Sequence, residues 1–274
     1  MCILEWGIFM YINEEQSKLD INKNIKKKYN MDSMVYFDIE TTGFDREQDN
    51  VILVSLGYCT QSNNFYIKQY FAENLNDEKC VLENLKNDVE KFNIWCSYNG
   101  KAFDQPFLEH RMNKYDIAFK SPDEHFDLYR KIRPYQKQLG LGRCNLKSVE
   151  KYIGIDRKDT IDGGISVELY KRYLEDQDEN LRKVIMLHNY EDVLNLPKIF
   201  KILSKIDSSN FIREDHITEK QLKYLKSLLR KHNILLNINL DNISKRAASK
   251  AIGAILNEDY DEESLKDIIK INCR

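Results

Sequence analysis

The chain of 274 residues is long enough for one large domain and a small one, or for two domains of modest size. With 42% hydrophobic and 31% charged residues, its composition is that of a globular protein with a substantial core. Six scattered cysteines without a C-x-x-C pair predict reduced thiols and argue against a disulfide framework or a zinc site. The apolar start, MCILEWGIFMYINEEQ, has no preceding basic segment and is too short to span a bilayer, so we expect a cytoplasmic protein without a membrane partner.

The net charge of −2 is unevenly distributed along the chain. Residues 211–256 carry nine bases and four acids, whereas residues 257–274 have a net charge of −3 and residues 1–210 one of −4. A basic segment joined to an acidic body suits a polyanionic partner such as nucleic acid. A solvated helix face would give the same pattern, and charge alone favours that simpler interpretation.

The first hundred residues predict four strands. Three segments, residues 34–40, 51–58 and 64–71, are rich in β-branched and aromatic residues and are separated by turn residues. Apolar positions at helical spacing predict a helix over residues 77–92, and the apolar run IWCSY that follows predicts the fourth strand. Three adjacent strands followed by a helical crossover favour a mixed sheet.

Helices dominate from about residue 104 onward. The longest covers roughly residues 178–205, and Pro197 is expected to kink it or to end it nearby. Together with the strands, this pattern predicts an α/β fold in which helices flank a mixed sheet. We expect an N-terminal extension over residues 1–33, a main domain over residues 34–208 and a small, partly basic helical module over residues 211–274.

The helical module begins with a clear helix start. Thr218 is the expected N-cap, and Gln221 completes a capping box. The helix that follows has an apolar stripe and a basic ridge, which consist of Leu222, Leu225, Leu228 and Leu229, and of Lys223, Lys226 and Arg230. A second helix, capped by Ser244, lies in NISKRAASKAIGAIL. The pair resembles small helical modules of bacterial nucleic-acid enzymes, which favours a DNA- or RNA-binding accessory, with a packing or dimerisation hairpin as the alternative.

Two acids interrupt the first predicted strand, in the segment YFDIETTGF. Asp38 and Glu40 are two residues apart, so their side chains project from the same face of the strand. Burying two adjacent carboxylates is costly unless a cation neutralises them, and the flanking apolar residues argue against an exposed strand. The pair therefore indicates a site for a divalent cation.

Further acids occur in contexts that would complete such a site. Asp104 follows the Asn99-Gly100 turn in SYNGKAFDQPFL and opens a predicted helix, where it is either a metal ligand or an N-cap. Asp192 lies one helical turn after His188 in HNYEDVLNL, so the two side chains share a face. Asp127 is either an additional acid near the metals or the cap of the next helix, LYRKIRPYQKQL, and is left outside the ligand set.

These segments resemble the three motifs of the DEDD (DnaQ-like) 3′–5′ exonucleases, which have a ribonuclease H-like fold. FDIETTG, YNGKAFDQPFL and HNYED occur in the same order, and the resemblance is strongest to the bacterial YprB-type subgroup. It covers about residues 34–205 and includes an F-D-L segment and a stretch with Glu150, Arg157 and TIDGG. The resemblance implies four metal ligands and a general base, which are Asp38, Glu40, Asp104 and Asp192, and His188.

The spacing of the base departs from the family pattern. In the histidine branch the base lies five residues before the last aspartate, whereas His188 lies four residues before Asp192. Four is the spacing of the tyrosine branch, but Tyr190 is only two residues away and lies on the wrong helix face. His188 therefore remains the expected base. The resemblance further implies that the backbone of Thr41 and Thr42 and the ring of Phe44 hold the terminal nucleotide.

Asn99 and Phe103 are further candidates for nucleotide binding. For the rings of Phe44 and Phe103, ordinary core packing is the alternative. Hard oxygen ligands select two Mg²⁺ or Mn²⁺ ions over zinc. We therefore expect a metal-dependent 3′–5′ exonuclease acting on single-stranded or frayed DNA or RNA ends. The alternatives are a structure-specific endonuclease or ribonuclease, and a catalytically silent nucleic-acid-binding module that kept the fold.

Overall fold

A mixed six-stranded sheet is the centre of the computed structural model, which describes residues 10–60 and 64–273. The strands are paired in the order β1-β4-β3-β2-β5-β6. The first three pairings in this order are antiparallel, and the pairings of β2 with β5 and of β5 with β6 are parallel. The strands are β1 (Met10–Lys18), β2 (Met34–Thr41), β3 (Val51–Cys59), β4 (Asn64–Ala72), β5 (Ile94–Ser97) and β6 (Glu124–Asp127).

Helices cover both faces of this sheet. The helices up to residue 208 are α1 (Lys23–Lys28), α2 (Glu78–Val89), α3 (Asp104–Lys114), α4 (Leu128–Ile132), α5 (Leu146–Tyr152), α6 (Gly163–Asp176) and α7 (Glu179–Ser208). Side chains of α2 and α3 pack with Phe37 and Ile39 of β2, whereas side chains of α6 and α7 pack with residues of β3 and β4. Because successive residues of a strand point to opposite faces, Asp38 and Glu40 point away from the face that α2 and α3 cover. The predicted α/β fold with a mixed, helix-flanked sheet is confirmed.

Sequence patterns missed the two outer strands. Strand β1 falls in the segment assigned to an N-terminal extension, and it pairs along its whole length with β4. Most of its side chains are polar and at least partly exposed, so it lacks the apolar alternation that marks a half-buried strand. Strand β6 has only four residues, too few for a periodic pattern. The first nine residues of the apolar start lie outside the described residues.

Prolines lie in two of the predicted helices. Helix α7 continues for eleven residues beyond Pro197, so the proline does not end it, and the alternative, a kink, stays a prediction. Pro197 is itself buried among apolar residues, and this packing stabilises the helix where the backbone hydrogen bond is missing. The single helix expected over LYRKIRPYQKQL is instead the short α4 followed by one 3₁₀ turn, because Pro134 falls at the start of that turn.

The chain divides into two compact units. The first consists of Met1–Tyr129 and Arg143–Ser204, and the second of Arg130–Gly142 and Lys205–Arg274. The second unit contains α8 (Glu219–Lys231), α9 (Lys245–Leu256) and α10 (Glu262–Cys273), which share an apolar core. The sequence-based boundaries at residues 33, 208 and 211 stay a prediction. Among the described residues, no helix has the length and apolar character needed to cross a membrane.

Within the second unit, the predicted helix starts are present. Thr218 accepts a hydrogen bond from the N–H of Gln221, whose side-chain oxygen accepts from the N–H of Thr218, and this completes the capping box. Ser244 accepts from the N–H of Ala247 at the start of α9. The expected leucine stripe of α8 faces the shared core, together with alanines of α9. Helix α10 was not predicted.

Candidate active site

A cleft of about 290 Å³ opens at the end of β2 in the first unit. Asp38 and Glu40 of β2 line it, together with His188 and Asp192 of α7 and the first residues of α6. Glu40 is buried and Asp38 is half-buried. A bulge between Glu40 and Thr41 ends the regular pairing with β3 at this point. The two acids of the D-x-E pair thus face the same cleft, as the strand geometry predicts.

Asp104 reaches this region from the start of α3. Its Oδ1 accepts a hydrogen bond of 3.2 Å from the N–H of Ile39, the residue between the two acids of β2. The N-cap position of α3 is Phe103, and Asp104 is the first residue of the helix. Asp104 is therefore directed at β2. It does not belong to the residues that line the cleft, although its charge acts on that of Asp38.

His188 and Asp192 lie on the same face of α7, as their spacing predicts. Nε2 of His188 lies 3.5 Å from Oε1 of Glu40 and 3.8 Å from Oδ2 of Asp192. One ligand atom from each of these three residues lies within 4.8 Å of the others, a separation at which a single metal ion can bind all three. The imidazole is buried, so Nε2 is available only from the cleft side.

The orientation of the His188 ring is fixed by a carboxylate that the sequence did not single out. Nδ1 of His188 lies 2.8 Å from Oδ2 of Asp159. Asp159 is itself held by Lys147 at 3.0 Å and Arg157 at 3.2 Å, and its Oδ1 accepts from the N–H of Ile161. A carboxylate at Nδ1 favours the tautomer with its proton on Nδ1, which leaves Nε2 as the acceptor toward the cleft.

Arg157 lies between the acids of α5, α7 and the loop that follows α5. Its guanidinium contacts carboxylates of four residues and donates a hydrogen bond of 2.9 Å to the carbonyl oxygen of His188. The four are Glu150, Asp159, Glu191 and Asp192. One cation thereby offsets part of the repulsion among these acids. It also fixes Oδ1 of Asp192 and leaves Oδ2 toward His188.

Asp38 is positioned by α7 as well. The side-chain amide of Asn189 donates a hydrogen bond of 2.7 Å to Oδ2 of Asp38, and its oxygen accepts from the hydroxyl of Ser55 on β3. Gln69 on β4 donates to the same hydroxyl at 2.9 Å and to the carbonyl oxygen of Met186 at 2.9 Å. This chain of buried amide and hydroxyl groups sets the distance between the sheet and α7.

The carboxylates of the site are held at an electrostatic cost. Burial raises the pKa of Asp38 well above its usual value, and the nearby charges of Asp192, Asp104 and Glu40 raise it further. Burial also raises the pKa of Glu40, with Asp192 as the next cause. The pKa of Asp104 is raised to about 7, chiefly by burial. Of the predicted ligands, Asp192 contacts Arg157, and among the described residues no ion pair joins Asp38, Glu40 or Asp104 to an arginine or lysine.

Asp159 behaves in the opposite way. Although burial opposes ionisation, the hydrogen bonds from His188, Lys147 and the N–H of Ile161 keep the pKa of Asp159 below its usual value. Asp159 is therefore ionised under conditions in which the buried acids of β2 take up protons. The site combines carboxylates that need a cation with one carboxylate whose charge is already satisfied.

The predicted nucleotide-binding residues divide into two groups. Thr41, Phe44 and Phe103 line the cleft, and the Phe44 ring is 89% exposed with its centroid 5.8 Å from that of Phe103. Thr42 and Asn99 do not line it. The Thr42 hydroxyl donates to Asp49 at 3.0 Å, and Asn99 has a left-handed backbone with φ of 69°.

Two turns beside the cleft depend on acids. Asp127 ends β6 and accepts hydrogen bonds from the N–H groups of Asn99 (2.9 Å) and Lys101 (3.3 Å), so it fixes the turn before α3. Gly43 lies so close to the Asp49 carboxylate that a Cβ would collide with it. The absence of a side chain therefore lets the segment after β2 turn sharply beside the cleft.

Comparison with known families agrees with this geometry. A model of the RNase_H superfamily matches residues 35–204, which is more than half of the chain. The chain belongs to the RNase H superfamily. The match begins in β2 and ends in α7, so it contains every residue that lines the cleft. This membership confirms the family predicted from the three motifs.

A curated relative is the uncharacterized protein YprB of Bacillus subtilis (strain 168). It is 31% identical over 183 residues, which cover 65% of this chain and 44% of YprB. The chain thus spans less than half of that relative. Solved structures with 16% identity include Brucella melitensis NrnC bound to pGG, which covers 68% of this chain and 92% of its own at a TM-score of 0.31, and NrnC with bound Mg²⁺, which covers 71% and 94% at 0.29. Because these scores reflect limited superposition, the family assignment rests on the family model.

Proposed function

We propose that this RNase H superfamily member is a two-metal-dependent 3′–5′ exonuclease that hydrolyses phosphodiester bonds at single-stranded or frayed DNA or RNA ends. The observation that carries the proposal is the convergence of acids from three separate segments beside one cleft that also contains a buried imidazole. The acids are Asp38, Glu40, Asp104 and Asp192, and the imidazole is that of His188.

The donor set fits hard divalent cations. All four acids offer carboxylate oxygens, which suit Mg²⁺ and Mn²⁺. Burial and mutual repulsion raise the pKa values of Asp38, Glu40 and Asp104, so a cation among them would be strongly favoured. Bound there, two such ions would supply an activated water and neutralise charge on the phosphate and on the leaving 3′-oxygen.

The residues of the chain have separate tasks in this proposal. Nε2 of His188 accepts the proton of the attacking water, and Asp159 at Nδ1 holds the ring in the orientation that makes this possible. Asn189 and Arg157 keep Asp38 and Asp192 in place, so the ligands need little rearrangement when a cation binds. A buried imidazole also keeps the accepted proton away from bulk water.

An end-binding activity is supported by the exposed aromatic ring at the cleft. Phe44 is a large apolar side chain that has almost no cover of its own, and Phe103 lies edge-on to it. A terminal base stacked on such a ring would gain on the order of 1–3 kcal/mol, whatever its identity. The Thr41 hydroxyl donates to the carbonyl oxygen of Gly43 at 2.6 Å and shapes the turn that presents Phe44.

The direct test is digestion of labelled single strands. With Mg²⁺ or Mn²⁺, a 3′-labelled oligonucleotide should release labelled mononucleotide first, while a 5′-labelled strand shortens stepwise. If longer internal fragments are the first products, the protein is an endonuclease and the proposed exonuclease activity is wrong. Binding without any cleavage of DNA or RNA would leave a silent nucleic-acid-binding module. Asp38→Asn should remove the activity, and Asp176→Asn, a change of an exposed acid of α6, is the matched control.

A further inference from the structure

The two units carry opposite charges. The second unit contains 17 lysines and arginines against 11 acids, a net charge of +6, which leaves −8 for the first unit. A unit with a charge of −8 repels a polyanionic strand at distances of about a Debye length. A basic surface elsewhere in the protein would offset this repulsion and attract the strand.

Four of the 17 bases of the second unit lie together on one side of α8. Its leucines face the shared core, and the opposite face is exposed. That face, here named the α8 basic face, consists of Lys220, Lys223, Tyr224, Ser227, Arg230 and Lys231. These positions recur every three to four residues, so they form one continuous strip along the helix. Among the described residues, none of the four cations of the strip has an ion-pair partner.

Other cations lie beside the first turn of this helix. The Gln221 side chain donates to the carbonyl oxygen of Lys245 at 3.2 Å and to Ser249 at 3.0 Å, so the first turn of α8 adjoins the first turns of α9. Those turns also carry the exposed Arg246 and Lys250. Six of the eleven acids fall between residues 258 and 267, around the start of α10, and Tyr260 of this segment contacts His232 at the end of α8.

An aromatic ring lies within the strip of cations. Tyr224 is 47% exposed, so a large part of its ring is open to solvent between the cations. Cations at one-turn spacing around an exposed ring combine the two groups that hold single-stranded nucleic acid, which are phosphate contacts and a stacking platform. A solvated helix face accounts for the lysines but not for the exposed ring.

We propose that the α8 basic face, continued by Arg246 and Lys250 of α9, binds a single-stranded nucleic acid, with cations on the phosphates and Tyr224 under a base. This rests on the proposed nuclease function for the choice of occupant. Tethering such a surface to the catalytic unit raises the local concentration of the strand at the cleft. The proposal assigns a role to the second unit and explains its charge.

The test measures binding by the full-length protein in EDTA, where metal-dependent cleavage cannot occur. The probe is a fluorescent single-stranded 20-mer, followed by anisotropy at increasing salt. The triple variant Lys223→Gln, Arg230→Gln and Lys250→Gln should raise Kd by about tenfold or more. It should also lower the slope of log Kd against log salt by about 2, because each phosphate contact on a single strand contributes about 0.7. Unchanged melting curves establish that the fold is intact.

A matched control removes the same charge from the first unit. The variant Lys120→Gln, Lys171→Gln and Lys183→Gln changes three exposed lysines and should alter Kd by less than about threefold. Tyr224→Ala should weaken binding by about tenfold, whereas Tyr224→Phe keeps the ring and should bind like the wild type. Equal losses in both triple variants, or no loss in either, would overturn the proposal.

Three further outcomes separate this proposal from its rivals. Binding to anionic vesicles without binding to the oligonucleotide would show that the α8 basic face binds a membrane surface. A shift from dimer to monomer in the triple variant would show that it is a self-association face. Both overturn the proposal. Hydrolysis of a small chromogenic phosphodiester by wild-type protein with Mn²⁺ tests the cleft alone. Strand binding that depends on the α8 basic face without such hydrolysis would support this surface and contradict the nuclease.

Discussion

The cleft and the α8 basic face differ in how their charges are placed. In the cleft, carboxylates from distant segments are buried together, and the surrounding amides and one arginine fix their positions. On the α8 basic face, four cations from one short segment project into solvent without ion-pair partners among the described residues. Buried like charges are costly and demand a small, strongly charged partner, whereas exposed ones are cheap and suit an extended polyanion. In the proposed function, the cleft therefore carries out hydrolysis and the α8 basic face attracts the strand.

The largest expected effect comes from removing one ligand. Asp38→Asn should reduce cleavage by at least about 10³-fold, because an amide binds a divalent cation far less well than a carboxylate. Binding of the 20-mer in EDTA should stay within about threefold of the wild type, since the α8 basic face is untouched. Steady-state digestion and anisotropy measure the two properties. Wild-type turnover by Asp38→Asn would remove the basis of the proposed site.

The next effect concerns the proton acceptor. His188→Ala should lower the rate of cleavage by about 10²–10⁴-fold, which is the usual contribution of a general base. Calorimetry should show that Mn²⁺ still binds, because the carboxylates remain. A rate equal to that of the wild type would mean that water or another group takes the proton. Tyr190→Phe is the matched control on the same helix and should be neutral.

A smaller effect is expected from the residue that orients this base. Asp159→Asn should lower kcat by about 10- to 100-fold with little change in KM, because the imidazole loses its fixed tautomer while the cleft keeps its shape. Nitrogen NMR of labelled histidine would show the proton of His188 leaving Nδ1 in the variant. A parallel rise in KM, or an unchanged tautomer, would indicate that Asp159 only supports the fold.

The sequence predicted the acids but not the groups that hold them. Asp38, Glu40, His188 and Asp192 were recognisable because local spacing places each pair on one side of a strand or helix. Asp159 and Asn189 act through contacts across 29 and 151 residues, and no local pattern marks such pairs. Arg157 was visible as part of a family stretch, yet its role depends on four acids that meet only in the folded chain.

The same limit explains the errors in the fold. Strands β2, β3 and β4 and helix α2 were predicted within a few residues because their apolar periodicity is strong. Strand β1 is polar and was missed, although its whole length is paired in the sheet. The exposed Phe44 and the half-buried Phe103 have the same residue type, so only the structure distinguishes them.

The electrostatic cost of burying these acids should be measurable as a lower free energy of unfolding. In the folded protein without metal, Asp104 has a pKa of about 7, well above its value of 3.8 in the unfolded chain. Between these two values the unfolded state loses a proton that the folded state keeps, so rising pH from about 4 to 7 destabilises the wild type. Asp104→Asn lacks this penalty, and its amide oxygen can still accept from the N–H of Ile39.

We therefore expect Asp104→Asn to be more stable than the wild type at pH 8 in EDTA, by up to about 4 kcal/mol, and the difference to shrink toward pH 4. Urea denaturation at both pH values measures it. Excess Mg²⁺ should reverse the order at pH 8, because only the wild type keeps the full ligand set. Parallel pH profiles of stability for the two proteins would show that burial does not raise the pKa of Asp104.

The smallest expected effect is a loss of stability in the second unit alone. Thr218 caps α8 by accepting from the N–H of Gln221, and both side chains are at least partly exposed. Thr218→Ala should destabilise the second unit by about 1 kcal/mol, the usual cost of losing an N-cap, while Thr218→Ser keeps the hydroxyl and should be neutral. Hydrogen exchange should then increase in α8 and α9 but not in β2 or β3. Because a loss of this size leaves the second unit mostly folded, the same variant should change strand binding by less than about threefold and leave the hydrolysis of a small phosphodiester unchanged. A loss of both activities in equal measure would mean that the cleft depends on the basic unit for its structure and not for its substrate.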